Sequence, residues 1–234
     1  MVSNRDELLK IYDVAPFLEH PLWKSIIAGE LSIDQIKKAE LQHVYRTKCG
    51  RELRREAVEK SLQYGENFFQ ALFQTFIEEC TEQSGPDHLE MAERLVLAAG
   101  GTPDELKDIH PTPGNSAAIA LYRDISERGA AFHFLGAGVV EYFYSKLSPK
   151  IYSAYTRLYG FSDKQAETYR VHGPMDYQHG ERALASLDEV LSSHGWYEIK
   201  LAVRDAFIAT SLHYDGMYQA AIGELSYWNA GELI

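Results

Sequence analysis

Val171-His172-Gly173-Pro174-Met175-Asp176-Tyr177-Gln178-His179 sets an imidazole, a carboxylate and an imidazole at positions i, i+4 and i+7. On an α-helix those positions share one face, so the stretch predicts a helix that presents three polar ligands to one place. Imidazole with carboxylate, and no thiolate, suits iron, manganese or zinc rather than a soft metal. Gly173-Pro174 puts the first ligand at a kink or just ahead of the helix proper, which then covers Met175 to Ser193. The bland alternative is a solvated helix face with two surface histidines, and the rest of the chain decides between the two.

Upstream, Phe132-His133-Phe134-Leu135-Gly136-Ala137-Gly138-Val139-Val140-Glu141-Tyr142-Phe143-Tyr144 is an apolar helix with a single carboxylate. An unpaired buried carboxylate is costly, so Glu141 needs a cation or a metal. Ala137 and Gly138, one turn earlier, leave room beside it. Further back, Phe76-Ile77-Glu78-Glu79-Cys80-Thr81-Glu82 offers three glutamates before Gly85-Pro86-Asp87-His88. Glu79 lies three residues after Phe76 and seven after Leu72, so it continues the apolar stripe of Phe69, Leu72, Phe73 and Phe76 and points inward. Glu78 and Glu82 point further away, and the Gly-Pro turn can fold His88 back beside Glu79. Glu79, His88, Glu141, His172, Asp176 and His179 together make three carboxylates and three imidazoles, a set suited to two metals bridged by carboxylate. Ferritin-like sites use paired Glu-x-x-His motifs, and this chain has no such pair.

The remaining sequence reads as helix almost throughout. Ser32-Ile33-Asp34-Gln35 and Ser162-Asp163-Lys164-Gln165 have the form of capping boxes. Helical periodicity runs to about Lys48, again over Arg51–Gln63 and Asn67–Gln83, and from Pro86 or Asp87 to Gly100-Gly101. It resumes over Ala117–Glu127, Ala130–Leu147 and Ile151–Tyr159. Trp196 to about Tyr227 reads as a terminal helix softened at Gly216 and Gly223. No alternating strand pattern, repeat or linker competes, so the expectation is an all-α single domain over residues 1–234, a bundle of seven or more helices.

A helical domain of 234 residues, 45% of them hydrophobic, buries roughly 70–75% of its unfolded surface and needs no metal merely to fold. The formal net charge of −11, from 23 Lys plus Arg against 34 Asp plus Glu, with no basic block, argues against a nucleic-acid partner. Two cysteines, Cys49 and Cys80, form no disulfide framework or Cys-x-x-Cys motif. The polar start Met1-Val2-Ser3-Asn4-Arg5-Asp6-Glu7 has no apolar signal core, and no apolar run is long enough for a membrane span. A cytoplasmic protein without a membrane partner is the expectation.

The ligand pattern resembles the haem-oxygenase-like di-metal oxidases and oxygenases. They carry a Glu and a His around the end of one helix, a lone Glu on a middle helix, and His-x3-Asp-x2-His in the C-terminal third. His20-Pro21-Leu22-Trp23 and Gly29-Glu30-Leu31-Ser32 also resemble the start of this broader fold, which includes thiaminase-like and quinone-synthase-like proteins. The resemblance covers most of the chain, and its C-terminal motif is the most specific part.

It implies about seven helices around two Fe(II) ions, O2 as co-substrate, and Glu141 and Asp176 among the residues closest to the chemistry. It implies a small-molecule amino-acid substrate or a fatty acid. Within the family the chain is similar to nitrile-forming enzymes acting on the alanyl side chain of 5,7-dibromo-L-tryptophan. On that reading Phe73 and Tyr142 wall an indole pocket and Lys146 or Arg170 holds the substrate carboxylate. A homodimer is a further expectation from the family. The alternatives are a metal-free thiaminase-like hydrolase with Cys80 or Cys49 as nucleophile, a cofactor-free quinone-synthase-like oxidase, and a non-catalytic helical interaction module.

Overall fold

The computed structural model describes residues 3–83 and 85–224. Among these residues there is no β-strand. The helices are α1 (Asn4–Lys10), α2 (Pro21–Ala28), α3 (Ile33–Ser61), α4 (Glu66–Cys80), α5 (His88–Ala98) and α6 (Pro103–Lys107). They continue with α7 (Pro113–Arg128), α8 (Ala130–Tyr144), α9 (Ser148–Arg157), α10 (Glu167–Ala185), α11 (Leu187–Leu191) and α12 (Trp196–Ile222). The expected helical bundle is thus observed.

The boundaries follow local chemistry, with differences from expectation in three helices, α3, α10 and α12. The Ser32 hydroxyl accepts from the Gln35 amide and Gln35 Oε1 accepts from the Ser32 amide, a complete capping box. The helix it starts, α3, runs through Gly50 without the expected break. At Ser162 the same reciprocal bonds form, but they close a turn, and α10 begins at Glu167. Second, α10 passes through Gly173-Pro174 and ends at Ala185, so His172 is a full member of the helix. Proline removes one donor, and the cost of that is absorbed inside a packed helix rather than expressed as a break. Third, α12 is continuous through Gly216 and stops at Gly223, whose φ of 74° is a left-handed cap. The expected extension past residue 224 lies outside the described residues.

The core is layered around α8, whose residues from Ala130 to Val140 are largely buried. It packs against α10 on one side and α12 on the other. Two glycines set the α8–α10 distance. A Cβ on Gly138 would sit 2.2 Å from the Ala183 Cβ, and one on Gly180 would sit 2.6 Å from the Tyr142 Cβ. Only glycine permits this approach, and it brings Glu141 of α8 against His179 of α10. Gly216 does the same for α12 and α7, where a Cβ would meet the Asn115 amide at 2.4 Å. Phe68 and Leu72 of α4 are buried, and the Phe68 ring meets Phe134 of α8 edge-on at 5.4 Å. Each such burial stabilises by roughly 1.5–3 kcal/mol, and together they hold α4 with its C-terminal end beside α8 and α10.

Candidate metal centre

On α4 the buried positions are Phe68, Leu72, Thr75 and Cys80. Glu79 lies seven residues after Leu72 and four after Thr75, so it continues the buried face, as its link to Leu72 predicts. The outer phenylalanines play no part: Phe69, Phe73 and Phe76 form a stacked row along the outside. On α5, His88 is the first helical residue, placed by Asp87, whose carboxylate caps the Leu89 amide at 2.8 Å.

Five of the six expected ligands assemble into two trios that share one residue. Glu79, His88 and His172 form one, and Glu79, Asp176 and His179 the other, each with ligand atoms within 4.8 Å of one another. The sixth, Glu141, sits beside the second trio, its Oε2 3.3 Å from His179 Nδ1.

The donor atoms face a common space without satisfying one another. Glu79 Oε1, His88 Nδ1, both oxygens of Asp176, and His179 Nδ1 are buried with no hydrogen-bond partner. His88 Nδ1 lies 3.0 Å from Glu79 Oε2, yet the two are not aligned as donor and acceptor. Orphaned buried polar atoms are rare and need a reason; converging lone pairs from carboxylate and imidazole fit a hard-to-borderline cation.

Neighbouring groups orient the imidazoles. His172 Nδ1 donates to the Thr168 carbonyl one turn earlier, which leaves Nε2 free. Burial, then the nearby His88, pushes the His172 pKa down to about 3, so its ring is neutral. His179 Nε2 lies 2.9 Å from Glu78 Oε2, and Glu78 is itself held by Arg182. Burial works to lower the His179 pKa, but the Glu141 and Glu78 carboxylates raise it to about 10. The His179 bond, against the pull of burial, brings Glu78 down to about 2. Burial pushes the Asp176 carboxyl well above its ordinary range, with Glu141 and Glu79 adding to the effect.

Arg54 of α3, which the sequence pattern did not single out, is the balancing charge. Its guanidinium reaches Glu79 at 2.8 Å and Glu141 at 2.7 Å. Burial opposes its charge, and Glu79 and Glu141 more than offset that, so its pKa is raised. An arginine that turns inward on a long helix needs an acidic partner, but which arginine of α3 does so is set by the helices packed on it. Glu78 was weighed as a ligand and supports His179 instead, while Glu82 is exposed.

The expected substrate-contact residues are corrected. Phe73 is 36% exposed on the outside of α4, because the inward stripe runs through Phe68 and Leu72. Tyr142 is wedged at the α8–α10 contact beside Tyr177. Lys146 follows α8 and lies over the Tyr142 and Phe143 rings at 4.9 Å. Arg170 is half-exposed and paired with Glu167 at 2.8 Å. None of the four lines either cavity at the centre. The larger of these includes Arg46, Tyr122, His133 and Val140 in its wall. The other includes Tyr144, Tyr169, His213 and Tyr214. Glu79 borders both. The thiols gain no activation: burial pushes both Cys80 and Cys49 up.

Residues 43–206 match the model of a family described as iron-containing redox enzymes. No curated protein matches the chain. Among solved structures, a domain of unknown function with a haem-oxygenase-like fold from Shewanella denitrificans OS217 superposes with a TM-score of 0.73 at 15% identity, over 91% of this chain and 89% of that one. A CADD-like protein of unknown function from Nostoc punctiforme PCC 73102 gives 0.73 at 16%, over 94% and 97%. A TenA homologue from Pseudomonas syringae pv. tomato DC3000 gives 0.73 at 14%, over 90% and 91%. These likenesses establish the haem-oxygenase-like fold. No described helix is long and apolar enough to cross a membrane.

Proposed function

Since the chain belongs to the family of iron-containing redox enzymes, we propose that it is a non-haem di-iron, O2-dependent oxidase or oxygenase of a small amino-acid substrate. The observation that carries this reading is the sharing of Glu79 between two ligand trios, since one carboxylate between two sets of donors is what a bridged pair of ions requires. Glu79, His88 and His172 would hold one ion, and Glu79, Asp176 and His179 the other, with Glu141 beside it. Bound Fe(II) would supply the reduction of O2 that no amino-acid side chain can perform.

The protein's own contribution is orientation, proton placement and exclusion of water. The Thr168 carbonyl fixes the His172 tautomer with Nε2 inward, and Glu78 does the same for His179 with Nδ1 inward. For His179 to become a ligand, its Nδ1 proton has to leave, and Glu141 Oε2 at 3.3 Å is positioned to accept it. Ile125, Val140 and Ala206 give the larger cavity an apolar wall, which keeps water from the reacting atoms.

The finer reading is conversion of the alanyl side chain of 5,7-dibromo-L-tryptophan to a nitrile, giving 5,7-dibromoindole-3-carbonitrile. Its support is the motif resemblance to nitrile-forming family members. Anaerobic loading with Fe(II) followed by elemental analysis tests the central claim. About two irons per chain, the stoichiometry of a bridged pair, with an absorbance transient on O2 addition only when a tryptophan derivative is present, is the expected result. Absence of stoichiometric metal overturns it.

A further inference from the structure

The arginines on the inner side of α3 differ in one respect. Arg51 is paired with Asp87 at 2.7 Å, and Arg54 with Glu79 and Glu141. Arg46, two turns earlier, has no ion pair among the described residues. Its guanidinium lies over the Tyr122 ring, 5.4 Å from the centroid, and interacts with the Tyr122 hydroxyl, which also meets Thr210 Oγ1 at 2.8 Å; Tyr122 brings no formal charge to match it. A partly buried guanidinium does not lose its proton, and a partly buried cation without an anion carries a desolvation cost. The fold keeps one here.

Its position gives that cost a use. Arg46 borders both cavities, as do Glu79 and Val140, so it stands where both spaces reach the ligand trios. From Arg46 the larger cavity extends along Leu53, Ile119, Ile125, Ala137 and Ala206, an apolar wall. One more unmatched polar atom belongs to this wall: His133 Nε2 is buried with no partner, while its Nδ1 lies 2.7 Å from Ser126 Oγ. A cavity whose wall combines a cation without an ion pair, several apolar side chains and one isolated ring nitrogen suits an amphipathic anion.

We propose that Arg46 is the carboxylate anchor of the substrate, holding an apolar-bodied carboxylate with its body in the larger cavity and its head against the ligand trios. The inference rests on the di-iron reading only for the purpose of that placement; the anion site itself stands on Arg46. Planar guanidinium and carboxylate pair through two parallel hydrogen bonds, which fixes the carbon next to the carboxylate in orientation as well as position. This replaces Lys146 and Arg170, the anchors expected from sequence, with a residue a hundred or more positions away from either. An apolar amino acid and a fatty acid share this chemistry, and the experiment separates them.

Calorimetric titrations of the metal-free protein and of the anaerobic Fe(II)-loaded protein with L-tryptophan, tryptamine, dodecanoate and dodecanol test the proposal. The expected result is that at least one carboxylate binds, each binding carboxylate at least about tenfold more tightly than its carboxylate-free counterpart. Arg46→Met should weaken the bound carboxylate by about tenfold to a hundredfold, and Arg46→Lys should recover part of the loss. Binding of tryptophan alone assigns the site to amino acids, and binding of dodecanoate alone assigns it to fatty acids. Iron content and melting temperature of each variant show that fold and ligand trios are intact. Failure of both carboxylates to bind the wild-type protein, equal binding of the carboxylate-free counterparts, or unaltered binding by Arg46→Met overturns the proposal. A wild-type protein without stoichiometric iron that still binds a carboxylate through Arg46 sinks the di-iron reading and leaves the anchor standing.

Discussion

Two buried polar clusters lie within this bundle, and they are built from similar residues to opposite effect. Around Glu40, the Tyr155 and Tyr169 hydroxyls donate to Oε1 at 2.5 and 2.7 Å, and His43 Nδ1 meets Oε2 at 2.9 Å. Nearby, Asn115 Nδ2 donates to Gln42, whose Oε1 also accepts from the Thr112 amide. No buried side-chain atom of Glu40, Gln42, Asn115, Tyr155 or Tyr169 is left without a partner. Around Glu79 and Asp176, five buried atoms are orphaned. Glu40-x-x-His43 even has the spacing of a ferritin-like ligand motif, yet its groups are closed on one another. Residue type and spacing do not separate a structural cluster from a candidate ligand site; unsatisfied valence does.

The sharpest way to break the comparison is to remove one member of each. His172→Ala should abolish product and lower the iron count together, with little change in the melting temperature of the metal-free protein. Full activity in that variant would falsify the assignment of the trios. Glu40→Leu should do the reverse, costing about 3 kcal/mol or more in denaturant unfolding because three donors lose their acceptor, with iron per folded chain unchanged.

Asp176→Asn sharpens the contrast through its sign. A buried carboxyl with both oxygens orphaned is a net cost to the metal-free fold, so the variant should gain about 1–2 kcal/mol without metal and lose the stabilisation that metal confers on the wild type. Thermal melts with and without Fe(II) measure both. A loss of stability without metal would place Asp176 with the closed cluster.

The smallest effect concerns a carboxylate outside both clusters. Burial works to raise the Glu167 pKa, but Lys164 and Arg94 lower it below 4.5. A depressed carboxylate stabilises the fold above its unfolded pKa and loses that contribution as pH falls through the folded value. Glu167→Gln should therefore cost about 1 kcal/mol or less at pH 7, and the gap to wild type should close below pH 4.5. A gap unchanged between pH 7 and pH 3 would assign Glu167 a packing role.

The comparison also explains what could be read from the sequence. His172, Asp176 and His179 were legible because helical spacing alone puts them on one face, and Glu79 and His88 because a turn folds one back on the other. The continuity of α10 through Gly173-Pro174 was not, since local rules favour a break there and tertiary packing overrides them. The inner arginines were missed for a related reason. Arg46 and Arg54 belong to a helix whose sequence is polar on most sides, and which of its cations turn inward depends on α4, α8 and α12. Lys146 and Arg170 lie near the ligands in sequence, a poor guide when a helix carries neighbouring residues to opposite faces.

Arg54 carries one last consequence. By pairing with Glu79 and Glu141 it supplies a positive charge from within the chain at the place where two acids meet, so the polypeptide can reach its final shape on its own. If the centre takes up metal as proposed, its acquisition would be a later event, separate from folding: scarcity of iron would leave an intact, idle protein in reserve rather than a collapsed one.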